Sequence, residues 1–293
     1  MKNKLKQIYE HKYKVLLIIP FLLLVLALVQ IAVQTSITGD FVNKGISLKG
    51  GSTITIEDSS INIVELENVL REKFQNADFS VRTITSAGSV VGIAIDSDAQ
   101  NSEQIDVLVS ALKEEVDLEK LEYSVEVMGS SLGKSFFKQT FLALIIAFVL
   151  MGVVVLIYFR TIVPSMAVIL AAFSDIVVTL AIFNLTGMKL STAGIAAFLM
   201  LIGYSVDTDI LLSSRLLKRK EGSVMHRVYG AMQTGLTMST TTLVAIFVAL
   251  IFVQSEVVKQ IMIILFIGLL VDLVMTWIQN VGILRLYLER KKK

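Results

Sequence analysis

Leu201-Ile202-Gly203-Tyr204-Ser205-Val206-Asp207-Thr208-Asp209-Ile210-Leu211-Leu212 sets two carboxylates inside an otherwise apolar run. A charged side chain at membrane depth costs about 2.5–3.5 kcal/mol on insertion scales, and chains seldom carry that cost without a use. Two further acids, Asp175 and Asp272, lie in other apolar runs. The pattern describes a membrane protein with a buried polar layer.

Composition agrees. The chain has 293 residues, is 54% hydrophobic and holds two prolines; its mean hydropathy of +0.73 exceeds that of soluble domains. Apolar runs of about 20 residues read as membrane-crossing helices. Six are expected, at 15–33, 139–158, 163–184, 191–213, 232–253 and 260–284. The first has a basic flank but outlasts a signal peptide's apolar core of roughly 7–15 residues, and no small-x-small site follows it. It reads as a retained anchor. The absence of cysteine excludes disulfides and thiol chemistry. His11 and His226 sit in basic flanks without a second ligand at useful spacing. No metal, no cofactor and no enzymatic site is expected.

Lysine and arginine in the short loops set the orientation. Lys2, Lys4, Lys6, Lys12 and Lys14 share a side with Arg160, with Arg215, Lys218, Arg219, Lys220 and Arg227, and with Arg285, Arg290 and Lys291 to Lys293. The opposite short loops carry Lys189 and Lys259. The basic side is read as cytoplasmic, with residues 1–34 as N-terminus and first helix, 139–285 as helices two to six and 286–293 as a basic cytoplasmic tail. The net charge of +2 hides this asymmetry and carries no sign of nucleic-acid binding.

Residues 35–138 form the one soluble domain and fall outside. Strands are expected at Ser52–Glu57, Phe79–Thr85, Ser89–Asp96 and Leu121–Met128. Helices are expected at Ile63–Phe74 and Glu103–Val116, with a turn at Ala87-Gly88. The order β-α-β-β-α-β is that of an α+β ferredoxin-like domain. Glu114, Glu115, Asp117, Glu119 and Glu122 make an acidic, solvated face. Gly50-Gly51 before the first strand is a turn signal rather than a nucleotide fingerprint.

Within the membrane, Asp175 and Asp272 fall near mid-bilayer, and Asp207 and Asp209 toward the cytoplasmic end of the fourth helix. The fifth helix carries Gln233, Thr237, Thr240 and Thr241 along one stripe, with Thr234, Ser239 and Thr242 beside it. Hydroxyls in membrane helices often serve packing. Four acids with no clear basic partner favour a layer that handles protons or another ion. Asp207 and Asp209 point to nearly opposite sides of one helix, so one suits the bundle and the other a partner subunit.

The run Phe173 to Asp209, FSDIVVTLAIFNLTGMKLSTAGIAAFLMLIGYSVDTD, resembles helices three and four of the SecF branch of the SecD/SecF protein-export family, which is RND-related. GISLKGGS at 45–52 resembles the family's glycine motif, and VEVMGSSLGKSF at 125–136 the junction into helix two. Asp207-Thr208-Asp209 stands where the bacterial pattern has Asn-Asp-Thr, Ser174 stands where it has His, and Thr234 stands where an arginine is common. With Asp272 and the ending NVGILRLYLER, these departures resemble the archaeal branch.

The resemblance implies half of an RND-type bundle in the cell membrane. It implies pairing with a SecD partner as a heterodimer beside a SecY-type translocon channel, and an ion gradient assisting export of a translocating polypeptide. The proposed ion or proton layer is Asp175, Asp207, Asp209 and Asp272, supported by Ser174, Ser205, Thr208, Gln233, Thr234, Thr237, Thr240 and Thr241. The alternatives are half of an RND-type lipid or small-molecule exporter, and a passive translocon scaffold.

Overall fold

The computed structural model describes the chain except residues 1–6, 8, 60, 75, 76, 78, 87, 88, 117–121, 219–221, 254, 292 and 293. The Ala87-Gly88 turn, Leu121, Asp117, Glu119, Lys2, Lys4, Lys6, Arg219, Lys220, Lys292 and Lys293 lie outside the described residues.

Among the described residues, six helical segments are long and apolar enough to cross a membrane. Helix α1 (Ile18–Thr38) follows a short turn at Tyr13–Leu16 and stops at Gly39, whose φ of 75° ends the helical hydrogen-bonding. After the soluble domain come α4 (Ser130–Phe159), α5 (Ile162–Leu185), α6 (Thr192–Lys218) and α7 (Val224–Phe252). The last span is composite: α8 (Glu256–Val274), a π-helical stretch Met275–Asn280, and α9 (Val281–Lys291). Most of these helices outrun the apolar stretches that announce them. Hydropathy marks only the part suited to lipid, whereas helical geometry continues to the next cap. For α7 that cap is Ser223, whose hydroxyl accepts from the His226 N–H at 3.2 Å.

The soluble domain has strands β1 (Gly51–Ile56), β2 (Phe79–Ser86), β3 (Ser89–Ser97) and β4 (Tyr123–Met128), with helices α2 (Ile63–Lys73) and α3 (Ser102–Glu115). The sheet runs β2-β3-β1-β4, antiparallel throughout, which is the ferredoxin-like order. Alternation along β1 sends Ile54 and Ile56 into a core with Leu66, Leu70, Phe79, Ile93, Ile95, Leu108 and Leu112. Asn62 caps α2, its side chain accepting from the Val64 and Glu65 N–H groups.

Glycine fixes how this domain joins the bundle. Gly50 has φ 89°, and a Cβ there would collide with the Ser130 backbone; a Cβ on Gly133 would meet the Gly50 nitrogen. The glycine motif at 45–52 and the junction at 125–136 therefore pack backbone to backbone at the start of α4. Gly50-Gly51 is thus a close-approach device as well as a turn. A second tether is a parallel bridge between Lys44 and Leu190, closed by Gly45 N–H to Leu190 O at 2.8 Å and Leu190 N–H to Asn43 O at 2.7 Å. Gln260 locks the same loop, accepting from the Ser191 hydroxyl at 2.5 Å and donating to Lys189 O at 2.7 Å.

In the bundle, α5 and α6 are the most enclosed spans, while α4 and α7 show most of their surface outward. Leu24 and Ala27 of α1 pack on Val177, Val178, Ala181, Val271 and Met275. At the end near both termini, Leu212, Leu216, Val228, Ala231, Trp277 and Leu284 form a separate cluster.

Candidate functional site

The enclosed face of α5 carries Ser174, Asp175 and Thr179. That of α6 carries Ser205, Thr208, Asp209 and Ser213, positions spaced i, i+3, i+4 and i+8 that share one face of a helix. The last span adds Asp272, then Thr276, Gln279 and Asn280 from the π-helical stretch. π-Helical turns are rare and recur at functional sites. Asp175, Asp209 and Asp272 are each fully removed from solvent.

Hydroxyls and amides join these groups into one network. Ser205 donates to Asp175 Oδ2 at 2.5 Å. Thr208 donates to Ser205 O at 2.8 Å and faces both Asp272 oxygens at 3.3 and 3.2 Å. Thr276 lies between two carboxyls, 3.0 Å from Asp209 Oδ1 and 2.9 Å from Asp272 Oδ1. Asn280 donates to Asp209 Oδ1 at 2.7 Å. Gln279 donates to the Ser174 hydroxyl at 3.2 Å, and Ser174 in turn donates to Leu170 O at 2.8 Å. Asp175 lies within electrostatic reach of both Asp272 and Asp209. Among the described residues, no lysine or arginine forms an ion pair with any of the three. The arrangement is therefore an enclosed acidic layer without a basic partner among the described residues.

Not every residue expected there is present. Asp207 is exposed on the outer face of α6, on the side opposite Asp209. Gln233, Thr237, Thr240 and Thr241 also face outward from α7. The reason lies in packing: Gly235 and Ser239 form the inward edge of α7, and the Trp277 ring lies against Gly235, filling the space a side chain would need. Two of the outward threonines are satisfied locally, Thr237 donating to Gln233 O at 2.8 Å and Thr241 to Met238 O at 2.8 Å. Thr234 is half-buried and accepts from the Arg215 guanidinium at 2.9 Å. Ser174, Ser205 and Thr208 do join the network.

Thr276, Gln279 and Asn280 are the members that sequence reasoning missed. Their signal is present: from Asp272 they follow i+4, i+7 and i+8, polar interruptions on one face of an otherwise apolar run. Gln and Asn near a helix end read as interfacial, and the π-helical stretch that sets them inside carries no comparable sequence mark.

Six apolar helices, one ferredoxin-like domain and a carboxyl layer on three spans define a polytopic membrane protein with a buried ionisable centre. A family model described as "Protein export membrane protein SecD/SecF, C-terminal" matches residues 108–290. "Protein-export membrane protein SecF" of Pyrococcus furiosus is 38% identical over 292 residues, covering 100% of this chain and 97% of its own. Its counterpart in Methanothermobacter thermautotrophicus is 39% identical over 284 residues, with 94% and 93% covered. The chain belongs to the SecF branch of the SecD/SecF family of protein-export membrane proteins. The crystal structure of a Thermus SecDF, described as translocon-associated, superposes with a TM-score of 0.70 at 20% identity. At that identity the likeness is one of fold; it covers 96% of this chain, which spans 38% of the SecDF chain.

Proposed function

We propose that this chain is an accessory subunit of the Sec translocation machinery, pairing with a SecD partner beside a SecY-type channel and using an ion gradient to assist polypeptide export. In this reading, residues 35–138 face the outside and both termini face the cytoplasm, as the distribution of lysine and arginine supports. The observation that carries the proposal is the layer itself: three enclosed carboxyls on α5, α6 and the last span, bridged by Thr208 and Thr276 and lacking an ion-pair partner among the described residues.

A charge crossing the whole membrane field gains about 2.3 kcal/mol per 100 mV, roughly fiftyfold in a two-state equilibrium. Loading and unloading the layer changes the charge held between α5, α6 and the last span, and so their relative stability in two arrangements. The soluble domain is tethered to that bundle at Gly50–Gly133 and Lys44–Leu190, so a shift of the helices moves it.

The test is gradient-stimulated export in liposomes carrying this chain, its SecD partner and the channel. Asp175→Asn, Asp209→Asn and Asp272→Asn are each expected to abolish the stimulation while complex assembly persists. Wild-type stimulation in all three variants would sink the coupling and leave a passive scaffold.

A further inference from the structure

Between the soluble domain and the end of the bundle nearest to it lies a cleft of about 790 Å³, within the usual range of ligand sites. Alternation along the strands builds its roof. Ile54, Ile56, Ile93 and Ile95 point into the core beneath α2 and α3, so their neighbours point the other way. Ser80, Asp96, Thr53 and Glu126 pair in register across β2, β3, β1 and β4 and form one row on that open face. Adjacent strands stand about 4.8 Å apart, so the row is about 14 Å long, the reach of roughly four residues of extended chain. The floor is the 187–193 loop, with Val257 and Gln260 from the start of the last span.

The cleft is pre-formed. The floor loop closes the Lys44–Leu190 bridge, with Gly45 N–H to Leu190 O at 2.8 Å, and Gln260 holds it through the Ser191 hydroxyl at 2.5 Å. That bridge and the close approach of Gly50 to Gly133 fix the roof over the floor.

The lining disfavours an ionic ligand. Three bases, Arg71, Arg82 and Lys189, face it with three acids, Glu67, Asp96 and Glu126. Arg71 pairs with Glu67 at 2.7 Å and Arg82 with Asp96 at 3.1 Å, and Thr53 donates to the other Asp96 oxygen at 2.8 Å. A phosphate or a metal ion would meet no surplus of opposite charge. What remains is hydroxyl, amide and apolar surface, with Met128 in the roof and Met188 in the floor. Methionine adapts to varied shapes and recurs at surfaces that accept many partners. Polar groups for a main chain, beside adaptable apolar surface for its side chains, suit an extended polypeptide of varied sequence. A lipid tail does not suit the charged row, and a partner's strand would add at a sheet edge rather than across the face.

We infer that this cleft holds a short extended segment of an unfolded polypeptide between the open sheet face and the 187–193 loop. The inference rests on the reading of the chain as an export subunit, and its test separates the two. The chain has no cysteine, so single cysteines report contact. Ser80→Cys in the roof, Met188→Cys in the floor and Ser110→Cys, exposed on α3, are each placed in the complex with the SecD partner and the channel in liposomes. The probe is an exported polypeptide of defined sequence, with one cysteine in an unfolded stretch and a folded C-terminal domain that stalls it in the channel. Oxidation is expected to give disulfide adducts with this polypeptide at Ser80→Cys and Met188→Cys at least tenfold above Ser110→Cys. Ser80→Trp, which fills the roof, should cut the Met188→Cys adduct at least fivefold while co-purification with SecD is retained. Glu126→Trp, at the far end of the row, should do the same and guards against a misfolded single variant.

Absence of adducts at both cleft positions overturns the inference, as do equal adducts at Ser110→Cys or an undiminished adduct in both tryptophan variants. Engagement of the cleft cysteines by SecD, with or without the stalled polypeptide, also overturns it and makes the cleft a seat for the partner subunit. Gradient-stimulated export without cleft adducts leaves the export reading standing and removes the cleft. Cleft adducts without any stimulation of export remove the gradient-driven reading and leave the cleft.

Discussion

At the scale of single residues, two positions with little chemistry of their own decide the shape of the polar layer. Gly235 lets the Trp277 ring lie directly against α7, and a Cβ there would overlap the ring. Gly235→Ala is therefore expected to destabilise the chain by about 1–3 kcal/mol, the usual cost of overpacking, and to shift Trp277 emission; thermal unfolding and fluorescence check both. Asp207 makes the opposite case. It stands two residues from Asp209 but on the exposed face of α6. Asp207→Asn should cost the isolated chain less than about 0.5 kcal/mol, because it breaks no contact within the chain and removes a charge from an outward-facing position in a membrane span. A larger loss in unfolding measurements would mean that the carboxylate has a structural partner within the chain. An effect of the same substitution on co-purification with SecD would place it at the subunit interface.

At the scale of elements, the π-helical stretch and the α4 start carry the most consequence. The Tyr9 hydroxyl donates to the Trp277 carbonyl at 2.8 Å, inside the π-helical stretch. Burial raises the Tyr9 pKa above its ordinary value, so the hydroxyl remains a donor at any physiological pH. Arg285 ties the same N-terminal segment down, donating to Tyr9 O at 3.0 Å and Glu10 O at 2.8 Å. Tyr9→Phe removes one bond and should cost about 0.5–1.5 kcal/mol, with a measurable change in Trp277 emission; an unchanged spectrum would show that the clamp does not hold the π-helical stretch. At the other end, Gly133→Val would drive side-chain carbon into the Gly50 backbone. Backbone cannot yield as a side-chain tip can, so the expected loss exceeds the roughly 1–3 kcal/mol of ordinary overpacking. Protease sensitivity at the junction of the soluble domain and α4 is the direct measurement.

At the scale of the whole molecule, orientation and tethering govern how the parts work together. The chain has no cysteine, so a single introduced thiol reports its own side of the membrane. Ser110→Cys, exposed on α3, should react with an impermeant maleimide on intact cells. Lys291→Cys, exposed near the C-terminus, should react only after permeabilisation. The reverse pattern would invert the topology and place the soluble domain in the cytoplasm. The sequence was informative at this scale because it carries the physics directly: apolar length announces the spans, and period-2 and period-3.6 patterns announce the sheet and its helices. It was less informative about the layer. Asp175, Asp209 and Asp272 are conspicuous as charges in lipid-length runs, but nothing in a linear pattern separates Asp207 from Asp209.

The six spans, the β-α-β-β-α-β order and the presence of buried acids follow from the sequence alone, because burial in lipid or in a sheet core leaves a periodic apolar record. Which acids meet was decided only by the tertiary structure. Gly235 and the Trp277 ring turn the threonine stripe of α7 outward, and the packing of α6 leaves Asp207 on the surface. Thr276, Gln279 and Asn280 enter the site through a helical irregularity that no local pattern encodes. Each of those outcomes depends on side-chain volume between neighbouring helices, a property of pairs of elements rather than of any one of them.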